Sequence, residues 1–207
     1  MRNTIILILC LGLSASLIAQ VGNHNGLLNP NLADKAELQG LPHVSESLAQ
    51  AIIDSRPITT PAQLDAVLSA SLNAEQKTEV YRRLFRPLNL NTASEEEIML
   101  IPDMTGRMAH EFEEYRPYSS MTQFRREMSK YVDENEVARL EQYVFAPMDL
   151  NTTSEEDFMT IPGMTGRMAH EFEEYRPYTS MEQFRREMSK YVDEDEVARL
   201  ESYITLD

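Results

Sequence analysis

The first residues in this sequence that could do chemistry are histidines close to a carboxylate or a hydroxyl. His110 and Glu114 are four residues apart, and the same spacing recurs at His170. Metal sites use this spacing on a helix, but a zinc-protease helix needs a second histidine that is missing here. Ser45 follows His43 closely, yet the sequence places no acid partner beside them. We therefore expect surface charge at these positions, no catalytic, metal or cofactor site, and no enzymatic activity.

A second set of residues could hold an anion. Gly106-Arg107 and Gly166-Arg167 open predicted helices, and a helix start offers free N–H groups to a phosphate. Alternatively, the glycine relaxes a tight turn and the arginine pairs with a neighbouring glutamate. Carboxylates outnumber the cations around the densest basic clusters, so we expect a salt-bridged face there rather than a DNA-binding surface. Those clusters are Arg125, Arg126 and Lys130, and Arg185, Arg186 and Lys190.

The overall charge also disfavours a polyanionic ligand. The 207 residues include 34 Asp and Glu against 19 Lys and Arg, a formal net charge of −15. Such a balance repels polyphosphate and favours solubility or basic partners, although a high-salt habitat would select the same surface. A hydrophobic content of 42% is ordinary for a globular chain, so disorder is not indicated.

These residues are positioned by an internal repeat. The stretch 104–134 recurs at 164–194 with two differences, Ser119 to Thr179 and Thr122 to Glu182, at an offset of 60 residues (164 − 104). Leu41-Pro42 lies the same distance before Ile101-Pro102, so the repeat extends back once more. We predict three double-hairpin units at 28–87, 88–147 and 148–207, preceded by a linker at 20–27.

Each unit carries start signals for four short helices, and no stretch alternates with period two for long. Capping boxes are predicted from a capping side chain three residues before a carboxylate or amide, as at Asp34 and Glu37. In the middle unit Met104, Met108, Phe112 and Tyr115 form an apolar stripe at helical spacing. We place His110, Glu111, Glu113 and Glu114 on the opposite face. The fold class predicted is all-α.

The first residues read as a targeting segment. Arg2 is followed by an apolar run, Ile5–Leu13, and then by small residues up to Ala19. We predict a signal peptide at 1–19 and a periplasmic or extracellular protein, with no transmembrane span once it is cleaved. The run is short for a membrane span, so an uncleaved anchor is the alternative. Cleavage would remove Cys10, the only cysteine, and with it any disulfide.

A helix ending in Leu or Ile and Pro, a three-residue hairpin, and a helix with alanine near its start resemble the helix-hairpin-helix family. The stretch 90–96 (LNTASEE), followed by Ile101-Pro102, resembles the opening of the secreted competence-type, ComEA-like DNA receptors. The third unit also resembles the extrinsic 12 kDa subunit of cyanobacterial photosystem II, through DLNT at 149–152, Pro162-Gly163-Met164 and the closing 203–205. That family docks the same double hairpin on proteins, so the resemblance implies either DNA or a protein as ligand.

Family hairpins that hold DNA read Gly-apolar-Gly, because the glycines let backbone N–H groups face consecutive phosphates. Here the first glycine is present only as Gly163, with His43 and Asp103 in the other units, and the second is Ser or Thr throughout. We therefore expect an interaction or scaffolding protein that docks on another protein, with nonspecific DNA binding of the DNA-uptake type as the alternative. The candidate hairpin residues are Gly163, Met164, Thr165, Gly166, Arg167, Thr105, Gly106 and Arg107.

Overall fold

The computed structural model describes residues 21–22 and 26–206, of which about 49% are helical. The predicted helical fold class is confirmed at that level. The predicted signal peptide and residues 20 and 23–25 of the predicted linker lie outside the described residues. Within the described part, no helix is both long and apolar enough to cross a membrane. Its helices are α1 (Lys35–Gln39), α2 (Glu46–Asp54), α3 (Pro61–Ser69), α4 (Ala74–Tyr81), α5 (Glu95–Ile98), α6 (Gly106–Glu114), α7 (Met121–Met128), α8 (Glu134–Glu141), α9 (Glu155–Phe158), α10 (Gly166–Glu174), α11 (Met181–Met188) and α12 (Glu194–Glu201).

The helices begin where the capping residues predict. Full capping boxes start α1 at Asp34, α3 at Thr60, α4 at Asn73 and α5 at Ser94. In each, the cap side chain accepts a hydrogen bond from the backbone N–H of the third helical residue. The side chain of that third residue accepts a hydrogen bond from the backbone N–H of the cap residue. At α9 the third residue is the shorter Asp157, and Ser154 instead donates its hydroxyl to that carboxylate. These short helices therefore depend on side-chain caps for free amides at their starts.

Four two-residue strands are the main feature that the sequence pattern did not indicate. They are β1 (Leu88–Asn89), β2 (Val144–Phe145), β3 (Met148–Asp149) and β4 (Ile204–Thr205). β1 pairs in parallel with β2, and β3 pairs in parallel with β4. A single parallel bridge, Leu28 to Leu84, occupies the corresponding place earlier in the chain. Each pairing joins the beginning of a roughly 60-residue stretch to its end, so we refer below to the first (28–87), middle (88–147) and third (148–206) segments.

The same side-chain clamp recurs in all three segments. Arg56 donates from Nε to the Pro30 carbonyl (2.7 Å), and Arg116 and Arg176 donate to Leu90 and Leu150 (2.6 Å each). Each arginine precedes a cis proline and also reaches a second carbonyl, of Ala33, Ala93 or Thr153. The guanidinium fork thereby ties the turn after the second helix of each segment to the turn before its first helix.

The apolar core is divided unequally. The first and middle segments share one continuous cluster, with rings such as Phe112 and Phe124 in edge contact at 5.2 Å between centroids. The third segment forms a second cluster around Phe158, Phe172 and Phe184, which also includes Phe145 and Val21. Val21 belongs to the predicted linker, yet it is buried and pairs with Phe145. Part of the predicted linker therefore packs as core.

Arg86 lies where the three segments meet. Its guanidinium is fully buried, lies 4.1 Å from the ring centroid of Tyr203 and 5.6 Å from that of Phe145, and donates to Ser202 Oγ (2.5 Å). Burial lowers the pKa of Arg86 from its ordinary value. Asn29 of the first segment also reaches the hydroxyl of Tyr203 (3.4 Å). The first and third segments therefore contact each other directly.

Candidate hairpin docking site

The turn between the first two helices of each segment has one shared geometry. His43, Asp103 and Gly163 occupy the same left-handed position, with φ of 62°, 61° and 76°. The next amide, of Val44, Met104 or Met164, donates back to the carbonyl of residue 41, 101 or 161. Ser45, Thr105 and Thr165 then cap the second helix. Serine or threonine therefore stands at the second glycine position because it is the helix cap.

Two of these turns contact another segment. Asp103, at the tip of the middle hairpin (residues 99–104), accepts two hydrogen bonds from Arg82 of the first segment, at 2.7 and 2.8 Å. These bonds hold the pKa of the Asp103 carboxyl below its ordinary value. Pro102 beside it is buried, and its carbonyl accepts a hydrogen bond from Arg139 (2.6 Å). The middle hairpin thus docks on a protein surface, and the surface belongs to the same chain.

The surface beneath the middle hairpin is a groove between α3 and α4, which we call the first-segment groove. Asp65 lies on its wall, where Lys77 Nζ (2.6 Å) and the Tyr81 hydroxyl (2.5 Å) donate to the carboxylate. Burial raises the pKa of Asp65, but these hydrogen bonds outweigh burial and hold the pKa below its ordinary value. On the opposite wall Met99 and Met104 belong to the docked hairpin.

Gly163 is a glycine for reasons internal to the fold. Its φ of 76° is a conformation that disfavours L side chains, and an added Cβ would lie 2.9 Å from Leu32 Cδ2 of the first segment. Arg199 Nη2 would be 3.4 Å from the same atom. The left-handed backbone, together with the approach of Leu32, therefore gives a reason for the glycine that involves no ligand, while the next residue, Met164, is buried in the third core.

The other candidate glycines have no such constraint. A Cβ at Gly106 or Gly166 would meet nothing within 4 Å, and both residues begin their helices with negative φ. The amides of Gly166 and Arg167 have no acceptor within the helix, as is usual for a first turn. Among the described residues, the contacts of Arg107 and Arg167 are with aromatic rings and not with a glutamate. Arg107 lies 6.0 Å from the Tyr131 ring centroid, and Arg167 lies 5.2 Å from that of Tyr191.

The basic clusters are neutralised within the fold. Arg125 forms a two-pronged bond with Glu141, its Nε donating at 2.8 Å, while Arg126 and Lys130 both bond to Glu127. The third segment repeats the arrangement. There Arg185 pairs with Glu201, and Arg186 and Lys190 pair with Glu187. Hydrogen bonds from the two cations hold the pKa of Glu127 and of Glu187 below the ordinary value.

The predicted position of Glu111, on the face opposite the apolar stripe, is wrong. Glu111 is buried at 8% exposure, as is Glu171, and in both cases one carboxylate oxygen has no hydrogen-bond partner among the described residues. A pair of tyrosine hydroxyls, Tyr115 and Tyr131, lies nearby at 2.7 Å from each other. Hydrogen bonding to Tyr115 and to Glu111 raises the pKa of Tyr131. The helical period was right, but this glutamate lies at the edge of the buried face, where it interacts with Tyr131.

The histidines and hydroxyls considered for chemistry have separate contacts. His110 lies 3.7 Å from Glu114, and His170 lies 3.7 Å from Glu155 and from Glu174. Ser45 caps α2, whereas His43 Nε2 lies 3.0 Å from Glu79. In residues 21–22 and 26–206, no group of three or more His, Cys, Asp or Glu side chains is placed to hold a metal ion.

The arrangement as a whole presents hairpin tips and balanced ion pairs. The cations of its basic clusters are held by carboxylates of the same segments, and two of its three hairpin tips already contact protein. Such a surface suits docking by shape and by short polar contacts better than the neutralisation of a row of phosphates. No known protein family, curated protein or solved structure matches the chain.

Proposed function

We propose that the chain is an exported, non-catalytic binding protein built from three helix-hairpin-helix double-hairpin units, which docks on other proteins through its hairpins. The clamp formed by Arg56, Arg116 and Arg176 supports the three-unit architecture, since the same bonds recur at a fixed spacing. The closing parallel pairs support it as well. The exported location is inferred from the sequence of residues 1–19.

The observation that carries the choice of a protein ligand is the docked middle hairpin. In this chain a hairpin tip with a carboxylate at the first glycine position binds an arginine of another helical segment (Asp103 to Arg82). A carboxylate at that position would repel a phosphate at close range. The same feature that disfavours DNA therefore favours a protein surface that offers arginine or lysine.

Nonspecific DNA binding is the second candidate, and the free first-turn amides of Gly166 and Arg167 favour it. Pairing of the cations with Glu127, Glu187 and their neighbours opposes it, because nonspecific affinity comes from cations that release counterions from the duplex. A net charge of −15 adds long-range repulsion.

A paired experiment tests the proposal. A photoreactive side chain replaces Thr165, at the exposed hairpin of the third segment, or Asn135, an exposed control on α8. Incubation with envelope fractions of the source organism is expected to give a discrete protein adduct at Thr165 that exceeds any at Asn135. In parallel, duplex DNA is titrated at low salt up to about 100 µM protein, where nonspecific binders show affinity. Equal adducts at both positions, or saturable binding of duplex, would reject a hairpin-docked protein ligand.

A further inference from the structure

The middle segment contains an open counterpart of the first-segment groove. It lies between α7 and α8 and measures about 360 Å³, against about 250 Å³ for the groove beneath the middle hairpin. Adding 60 to the numbers of five first-segment residues gives five residues of this middle groove. The matched pairs are Asp65 and Arg125, Ala74 and Glu134, Lys77 and Val137, Thr78 and Ala138, and Tyr81 and Glu141.

The two grooves differ in occupancy. The first-segment groove is closed by Met99 to Met104, whereas the lining of the middle groove, within residues 21–22 and 26–206, comes from the middle segment alone. Exposure agrees with this difference. Thr78 is half-buried beneath its hairpin, while its counterpart Ala138 is exposed.

The third hairpin (residues 159–164) is the counterpart of the docked one, but it does not line the middle groove. Pro162 is only half-buried where its counterpart Pro102 is buried, while Met159 is about as exposed (46%) as Met99 of the docked hairpin (44%). The tip of the third hairpin lies beside Leu32 of the first segment. Within residues 21–22 and 26–206, the chain therefore holds a groove that no hairpin lines and a third hairpin whose Met159 and Gly163 are exposed.

The residues that would meet across this contact are compatible in charge. At the occupied groove Arg82 meets Asp103, and the positions 60 residues further on are Gln142 and Gly163. Both members of the charged pair are replaced together, so docking would leave no unpaired charge at these two positions. Beside the hairpin, Glu155 and Glu156 begin α9, and Arg126, whose side chain is 69% exposed, lies at the rim of the groove.

We propose that the middle groove binds the third hairpin of a second copy of this chain. Met159 would lie beside α7 and α8 as Met99 lies beside α3 and α4. The inference rests on the proposed function in treating the hairpins as protein-docking elements, and it names the chain itself as one partner.

Disulfide capture between two different variants tests this contact. In a Cys10→Ser background, one variant carries Ala138→Cys and another carries Met159→Cys, and the two are mixed under mild oxidation. We expect a covalent heterodimer that neither variant forms alone. Asn135→Cys, exposed on the same helix but outside the groove, is the matched control. Only single chains, an equal yield from the Asn135 variant, or an intramolecular bond in the Ala138→Cys/Met159→Cys double variant would overturn the proposal.

Light scattering of the full chain gives an independent reading. The wild-type mass is expected to rise above that of one chain as concentration rises, because each copy carries both a groove and a third hairpin. Ala138→Lys, at an exposed site, should abolish the rise while Asn135→Lys retains it. A single-chain mass at every concentration refutes self-docking but leaves docking on other proteins standing. Duplex binding in the separate titration refutes the protein ligand itself, so the two failures are distinguishable.

Discussion

Replacing Gly163 with alanine tests whether the fold itself requires this glycine or whether the glycine is there to bind a phosphate. The left-handed conformation costs an L residue about 1–2 kcal/mol, and the new Cβ would lie 2.9 Å from Leu32 Cδ2. Because Leu32 is 46% exposed, its side chain can move aside at little further cost. We therefore expect Gly163→Ala to reduce the free energy of unfolding by about 1–2 kcal/mol.

Gly166→Ala is the matched control three residues away. Its Cβ meets nothing within 4 Å and its backbone is helical, so alanine should be neutral or stabilise by up to about 1 kcal/mol. For a chain of this length, 1 kcal/mol moves the midpoint of thermal unfolding by about 2–4 °C. We expect the Gly163 variant to melt about 2–8 °C below the wild type, and the Gly166 variant at or above it.

Circular dichroism melts of the three proteins, with urea titrations to confirm the order, measure this difference. A double variant with Leu32→Ala should recover only the steric part of the loss, because the backbone strain remains. If Gly163→Ala were as stable as the wild type, the internal explanation of this glycine would be refuted. The case for a ligand-related role would then return.

Four further changes test other contacts. Tyr81→Phe should cost about 1–2 kcal/mol, since it removes the hydroxyl that donates to Asp65 (2.5 Å). Because the pKa of Asp65 is lowered in the folded state, its stabilisation is present above the unfolded pKa of about 3.9 and is lost as pH falls through the folded value. Acid titrations of stability should therefore fall less steeply for Asp65→Asn than for the wild type. Glu127→Gln with Glu187→Gln frees four cations and changes the net charge from −15 to −13. The double variant should therefore show salt-sensitive duplex binding that the wild type lacks. An unchanged titration would show that paired cations are not what prevents binding. Arg86→Ala removes the hydrogen bond to Ser202 and two ring contacts at the junction of the segments, and should split thermal unfolding into two transitions. One cooperative transition near the wild-type midpoint would contradict that role.

The sequence predicted the helices well because their signals are local. Asp34, Thr60, Asn73 and Ser94 cap the helices whose starts they predicted, and Phe112 lies in the core as its spacing indicated. The short strands could not be predicted, since two residues show no alternation and their partners are about 56 residues away in the chain (144 − 88). Local pattern predicts an element but not its distant partner.

The candidate site was predicted only in part. The turns and their caps were identified, but the contacts that occupy Asp103 and Gly163 come from other segments and leave no periodic trace. Arg86 was missed for the same reason, although the repeat holds a signal. The residues 60 and 120 positions further on are Ala146 and Leu206. An arginine where the other two segments have an apolar residue indicates a contact that those segments lack. Glu111 was misplaced because the sequence does not reveal its interaction with Tyr131.

The choice of protein over DNA is tested most directly by amide chemical shifts of the hairpins during a titration with duplex DNA at low salt. A ¹⁵N-labelled chain would report the Thr105, Thr165, Gly166 and Arg167 amides individually, at the turns that would face phosphates if the hairpins bound DNA. We predict that these signals stay in place while duplex is added. Saturable shifts at these amides that disappear when salt is raised would contradict the account.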